Sequence, residues 1–285
     1  MAILKDWYLL SLAALVLMGL QRFLYKVAAE RGCNIALTTA VFMATVTLIS
    51  TGFYVIEGAA VNNPGALLLL ALVNGLAFVL ATISNMEALK RVPAPVAYPL
   101  VRLNILLVVI FAVVYFGDRL TPLRMAGMAT ALAALLVLAR ERGKSNLDGE
   151  FRPGGFLHIS IAILAGAAAA ISGKFAALHV SKSAFMALSY LVGTIYALVS
   201  WRHAPSSGRS DAVLIGLVMG LLNFAGFYVF LSALEIGPLS VIALIAGMHF
   251  VVAVICSALF FRDRMTRGRL AGAALTVLSL ILLAR

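Results

Sequence analysis

The sequence predicts an all-α polytopic membrane protein, with ten transmembrane helices arranged as two inverted five-helix repeats. Three observations carry that prediction. The 285 residues are 63% hydrophobic and only 12% charged, with a mean hydropathy of +1.07, whereas a soluble domain is about a quarter charged. Apolar segments recur at the length of roughly 20 residues that a helix needs to cross hydrocarbon. A charged corner is also written twice: FGDRLTPLRMAG at 116–127 returns as FRDRMTRGRLAG at 261–272.

Hydropathy and punctuation place the spans at 7–28, 36–57, 65–90, 94–116 and 122–140, then at 155–178, 184–201, 211–234, 239–261 and 267–284. Backbone polar groups find no water in lipid, so such spans are helices unless they close a barrel, and the alternation of barrel strands is missing here. The first segment is longer than a signal peptide and lacks a small-residue cleavage site, so it reads as a retained helix.

The duplication extends well beyond the corner. At an offset of 145 residues, Ala88, Leu89, Pro93 and Val96 fall on Ala233, Leu234, Pro238 and Val241, and Leu138 and Ala139 on Leu283 and Ala284. An offset of 148 relates Lys26, Ala28 and Ala29 to Lys174, Ala176 and Ala177. Five spans is an odd number, so the second copy enters from the opposite side, as in secondary transporters that alternate access around a central site. The repeat units are 1–145 and 146–285. Within each corner, Asp is expected to cap its own turn and Arg to reach headgroups.

The net charge of +11 is not a nucleic-acid footprint, because the basic residues stand at span ends rather than in a stripe with aromatics. The two cysteines, Cys33 and Cys256, lack metal spacing and read as small apolar fillers. No cofactor or metal is expected.

Candidate binding residues are the polar side chains inside spans, where an ionisable group needs a partner, water or a ligand. Arg102 lies midway along span 4, with Tyr98 one turn away on the same face, and its planar fork suits a carboxylate or phosphate. Asn104 sits about 200° around the helix from Arg102. Its repeat equivalent is His249, a candidate proton carrier. Lys26 and Lys174 are repeat-related near the ends of spans 1 and 6, where snorkelling to the interface is the alternative role. Gln21 and Tyr25 share a stripe beside Arg22, which is one turn before Lys26. In span 3, Asn74, Phe78, Ala81 and Asn85 follow one face, and Asn223, Phe227 and Phe230 mark a similar stripe in span 8. Asparagines also serve as interhelical glue. Glu87 has Lys90 and Arg91 at i+3 and i+4 for local pairing. Gly216 and Gly220, or Gly268 and Gly272, allow close helix contact, those in the last span leaving a homodimer open beside a monomer. No span carries an acid at its middle.

Lys and Arg concentrate on one side, at Arg140, Arg142, Lys144 and Arg152 and at Arg262, Arg264, Arg267 and Arg269. The other side holds chiefly Lys5, Arg119, Arg124, Lys182 and Arg285. The positive-inside rule then puts both termini outside the cytoplasm.

With its ten spans, GLQRFLYKVA at the end of span 1, ALKRVPAPVAYPL at the turn into span 4, the GDRLT corner and their second copies, the chain resembles the drug/metabolite transporter superfamily in its EamA-type form. The resemblance implies a central cavity lined by spans 1, 3, 4, 6, 8 and 9, a small polar or amphipathic solute, and termini inside the cytoplasm. The chain departs from the family pattern in carrying Asp118 and Asp263 where Glu is usual. It also lacks the mid-span proline in RLNILLV and GMHFVVA. The expected activity is a secondary transporter of the cytoplasmic (inner) membrane for an anion-bearing metabolite: an amino acid, an organic acid or a phosphorylated compound. Its partners are then the solute and the bilayer, not nucleic acid. Two other readings are an exporter of hydrophobic cations, which calls for intramembrane acids, and a membrane-embedded enzyme using His249, which calls for a nucleophile or metal beside it.

Overall fold

A computed structural model describes residues 6–58, 63–143, 153–202, 209–261 and 266–284. Lys5, Lys144, Arg152, Arg262, Asp263, Arg264 and Arg285 lie outside the described residues, as do the side chains of Tyr98, Arg140 and Arg142. The described residues of the chain form helices, with no strand among them. Its first half comprises α1 (Asp6–Glu30), α2 (Ile35–Glu57), α3 (Pro64–Arg91), α4 (Ala94–Val101), α5 (Asn104–Phe116) and α6 (Pro122–Gly143). Its second half comprises α7 (Gly155–His179), α8 (Lys182–Arg202), α9 (Arg209–Ile236), α10 (Leu239–Gly247), α11 (Phe250–Phe261) and α12 (Arg267–Leu283). Among the described residues seven helical stretches are long and apolar enough to cross a membrane, including Leu239–Phe261, which joins α10 and α11.

Ten spans give twelve segments because the fourth and ninth are each broken at mid-length. At both breaks the helix tightens to hydrogen bonds three residues back. Leu103 N–H donates to Leu100 O at 3.0 Å and Ile105 N–H to Arg102 O at 3.2 Å. Met248 N–H donates to Ile245 O at 3.0 Å and His249 N–H to Ala246 O at 3.1 Å. Such a 3₁₀ turn inside a helix marks a hinge or a site under strain. The two breaks fall at nearly equivalent repeat positions.

The inverted repeat is visible in the packing. The principal interfaces pair α3 with α7, α1 with α9, α2 with α8 and α6 with α12, so each joins one half to the other. The last of these explains the Ala-Gly that ends each corner. A Cβ on Gly127 would meet Leu283 Cγ at 2.9 Å, and one on Gly272 would fall into Leu138. Both glycines and both leucines are equivalent under the 145-residue offset, so the contact is reciprocal. The corner threonines are equivalent too. Thr121 and Thr266 each accept the amide of the residue three further on, Arg124 and Arg269, at 3.2 Å, closing the first turn as an N-cap. Gly216 and Gly220 of α9 seat Val41 and Thr45 of α2. Cys33 and Cys256 are both free thiols.

Replacing Gly272→Ala is expected to destabilise the detergent-purified protein by about 1–3 kcal/mol. Adding Leu138→Ala should recover part of the loss, read as a rise in Tm relative to the single variant. A Gly272→Ala protein as stable as the parent contradicts this seam.

Candidate functional site

The structure places the two breaks against each other. The Arg102 guanidinium lies over the Phe250 ring, 5.7 Å from its centroid. Across the same region, a Cβ on Gly247 would meet Ile105 Cδ1 at 2.9 Å. Each break is also backed by a glycine of the other half. Gly19 of α1 lies against the His249 carbonyl, where a Cβ would come to 2.6 Å, and Gly166 of α7 lies against Asn104 Nδ2, at 2.7 Å. Missing Cβ atoms thus let whole helices close over irregular backbone that lipid does not tolerate. His249 Nδ1 shares a hydrogen-bond distance of 2.6 Å with Ala246 O, a carbonyl whose ordinary helical donor the break removes. This ties His249 to the turn. Among the described residues no cluster of His, Cys, Asp or Glu is arranged to hold a metal.

Several sequence candidates turn out to be tied into the packing. Asn74 is buried, and its Nδ2 donates to Ala169 O at 2.7 Å and Ser172 Oγ at 3.1 Å. Lys174 is only 7% exposed; its ammonium donates to Leu234 O and to Gly237 O, the latter at 3.0 Å, and sits 5.6 Å from the Phe116 centroid. Lys174 does not snorkel. Lys26 mirrors it, donating to Ser257 Oγ at 2.6 Å and lying 5.0 Å from the Phe261 centroid. Phe116 and Phe261 are the first residues of the two corners. Each lysine therefore stands on the corner phenylalanine of the opposite half. Asn223 Oδ1 accepts from Tyr190 Oη at 2.5 Å, and Gln21 is buried. Asn85 and Asn104 each keep a buried Oδ1 without a hydrogen-bond partner. Glu87 pairs locally as expected, with Lys90 at 2.7 Å and Arg91 at 3.6 Å.

The first corner departs from its expected role. Asp118 does not cap its own turn; its Oδ2 accepts from Ser240 N at 2.8 Å and Ser240 Oγ at 2.6 Å. That carboxylate therefore caps the N-terminus of α10 in the other half, a favourable place for negative charge. The repeat equivalent of Ser240 is Pro95, which has no amide hydrogen and no hydroxyl.

This asymmetry has a larger counterpart. On the side of the membrane where α1 begins, α10 packs on α5; among the described residues the equivalent pair on the opposite side, α4 and α11, forms no comparable interface. Further cross-half contacts join the N-terminal side. Ser183 Oγ and Tyr228 Oη donate to Glu57 at 2.5 Å and 3.0 Å, and Gly237 lies flush against Trp7. Arg31 with Asp211 at 3.6 Å and Arg91 with Pro153 O at 3.3 Å also join the halves on the opposite side, so it is at the half-length helices that the molecule is closed on the first side and open on the other.

Arg22, which the sequence offered only as a neighbour of the Gln21–Tyr25 stripe one turn before Lys26, gains most from the structure. Leu9, Ala13 and Val16 form the exposed outer stripe of α1, while Ser11 and Leu15 are buried on the opposite stripe. That inner stripe continues through Met18 to Arg22, at i+7 and i+11 from Ser11. Arg22 is nevertheless exposed, on the half of α1 nearer the open side. Phe78 repeats the pattern on α3, being 43% exposed on the stripe of Asn74 and Asn85. These two side chains mark the opening. A wheel drawn from sequence gives their direction, and only the fold tells that the space before them is unfilled.

Replacing Asn74→Ala is expected to lower stability by about 1–3 kcal/mol, the cost of leaving buried partners unpaired. Solute affinity should stay within about twofold, since this side chain packs rather than lines the opening. Thermal unfolding and ligand titration on the same preparation separate the two effects.

The EamA-like transporter family model matches the sequence twice, over residues 5–140 and 152–285. Comparison with curated proteins returns no match. A solved structure described as "Crystal structure of protein" superposes with a TM-score of 0.77 at 18% sequence identity, over 98% of this chain and 98% of the other. At that identity the likeness concerns the fold alone.

Proposed function

Because the chain belongs to the EamA-like transporter family, we propose that it is a secondary transporter carrying a small anion-bearing metabolite across the cytoplasmic membrane by alternating access. The two rocking units are the repeats 1–145 and 146–285. The multi-pass architecture and the family support transport of a small solute. The finer reading rests on one observation above all. In a fold built from two related repeats, the half-length helices meet across the halves on one side, where α10 packs on α5 and Asp118 caps the N-terminus of α10, with no comparable contact between α4 and α11 among the described residues.

In this reading Asp118 is a latch. Movement that parts α5 from α10 breaks its two hydrogen bonds and opens the N-terminal side, while α4 approaches α11 on the other. The solute is held near the facing breaks during the exchange. Discontinuous helices near mid-membrane are the usual place for such a site, because they present backbone polar groups that continuous helices hide. Cations rather than acids line the interior. The described acidic residues all stand at helix ends or turns, which favours an anionic solute over a hydrophobic cation.

Labelling by a membrane-impermeant thiol reagent tests the mechanism in a variant lacking Cys33 and Cys256. Ala112→Cys reports from the buried face of α5 near the closed side, and Ala29→Cys from the open end of the α1 stripe. Asp118→Ala is expected to raise the labelling rate of the first by about tenfold or more, the equivalent of a lost charge-assisted pair, and to slow the second. If neither rate changes, Asp118 is not a latch and alternation around it fails.

A further inference from the structure

We propose that Arg22 binds the charged end of the cargo, and that this cargo is a carboxylate joined to a flat apolar body. The inference rests on the transporter reading above and names the chemistry of its site.

Arg22 is the cation that the fold leaves available. The other interior cations are engaged: Arg102 with the Phe250 ring, Lys26 with Ser257, and Lys174 with two carbonyls. Among the described residues, Arg22 makes no hydrogen bond and no ion pair. It lies eight positions before the end of α1, about 12 Å along the axis at 1.5 Å per residue, and it faces away from the lipid stripe. Headgroups therefore do not explain it. An arginine at that depth needs a partner, and its neighbourhood on the inner stripe is open.

The surroundings describe what that partner carries. Tyr190 lies within electrostatic reach of Arg22, and its hydroxyl is committed to Asn223. The polar tip is therefore used up and the ring is what Tyr190 presents. Tyr25, Phe42, Tyr190 and Phe227 follow one another edge to face across α1, α2, α8 and α9, with centroid separations of 6.4, 6.4 and 5.8 Å. Phe42 is buried in the core behind the others, while Tyr25, Tyr190 and Phe227 are partly exposed and offer an apolar surface against which a flat group packs. A single guanidinium fork matches the two oxygens of a carboxylate. One positive charge does not balance a phosphate monoester, whose charge approaches −2.

The test uses the full chain in detergent, with phenylacetate, acetate, phenyl phosphate and phenethylamine as probes, and phosphatidylglycerol as the competing source of an anion. Phenylacetate is expected to bind and to raise Tm, with acetate and phenyl phosphate weaker by about tenfold or more. Arg22→Gln, with unliganded Tm close to that of the parent, should weaken phenylacetate by at least about tenfold, Arg22→Lys by less, and Asn74→Ala by no more than about twofold. Unchanged affinity in Arg22→Gln overturns the assignment. If Arg102→Gln alone abolishes binding, the anion transporter stands and Arg22 is not its anchor. Phenyl phosphate or acetate binding as tightly as phenylacetate overturns the proposed cargo. Stabilisation by phosphatidylglycerol alone, lost in Arg22→Gln, makes the site a lipid site and overturns it as well. Binding of phenethylamine alone overturns both this inference and the anionic reading beneath it.

Discussion

Hydrocarbon offers no hydrogen bonds, and the structure is organised around that fact. Spanning segments must satisfy their own backbone, which makes them helices, and any exception must be covered by protein. The exceptions here are the two mid-span turns, at Arg102–Leu103 and Met248–His249. Each is backed at close range by a glycine from the opposite half, Gly19 or Gly166. His249 adds a side-chain contact to a carbonyl that the turn releases. The irregular backbone that gives the centre its polarity thus exists only because the halves are folded into each other.

The same dependence governs the polar residues. Lys174 is buried because two carbonyls at the end of α9 and the Phe116 ring receive its ammonium. Lys26 has the mirrored arrangement on Phe261. The twice-written corner therefore has several jobs compressed into a dozen residues. Its phenylalanine supports a lysine of the other half, its threonine starts the next helix, and its glycine admits a leucine from the other half. In the first copy the aspartate holds α10 as well. The helix-cap role fell to the threonine, and the aspartate acts across the repeat.

Spans and repeat were legible because lipid leaves one solution for a long apolar segment. Predicted limits such as 36–57 and 155–178 lie within a residue of α2 and α7. The breaks were less legible. A single 3₁₀ turn changes neither composition nor length; Pro99, three residues before the first break, is a local signal that the reading of span 4 as continuous passed over, and span 9 has no such signal. Carbonyl acceptors carry no sequence signature, so the partners of Lys174 and Asn74 were hidden, and a capping contact between residues 122 apart leaves no local trace. Arg102 drew attention by standing mid-span, whereas Arg22 acquires meaning only when the space in front of its stripe is known to be open.

The pairing of helices has a consequence for how the chain is made. The four largest interfaces each join a helix of the first half to one of the second, so when α1 to α6 have left the ribosome most of their packing partners do not yet exist, the contact of α4 with α6 being the main one already possible. The first half then lacks its main interfaces, and Gly19 and Gly127 lack the second-half residues that pack on them, His249 and Leu283. Assembly completes late, when α12 arrives and Leu283 reaches Gly127. Removing α12 therefore takes a wedge from the first half as well as a helix from the second, and Leu283 belongs to the packing of both.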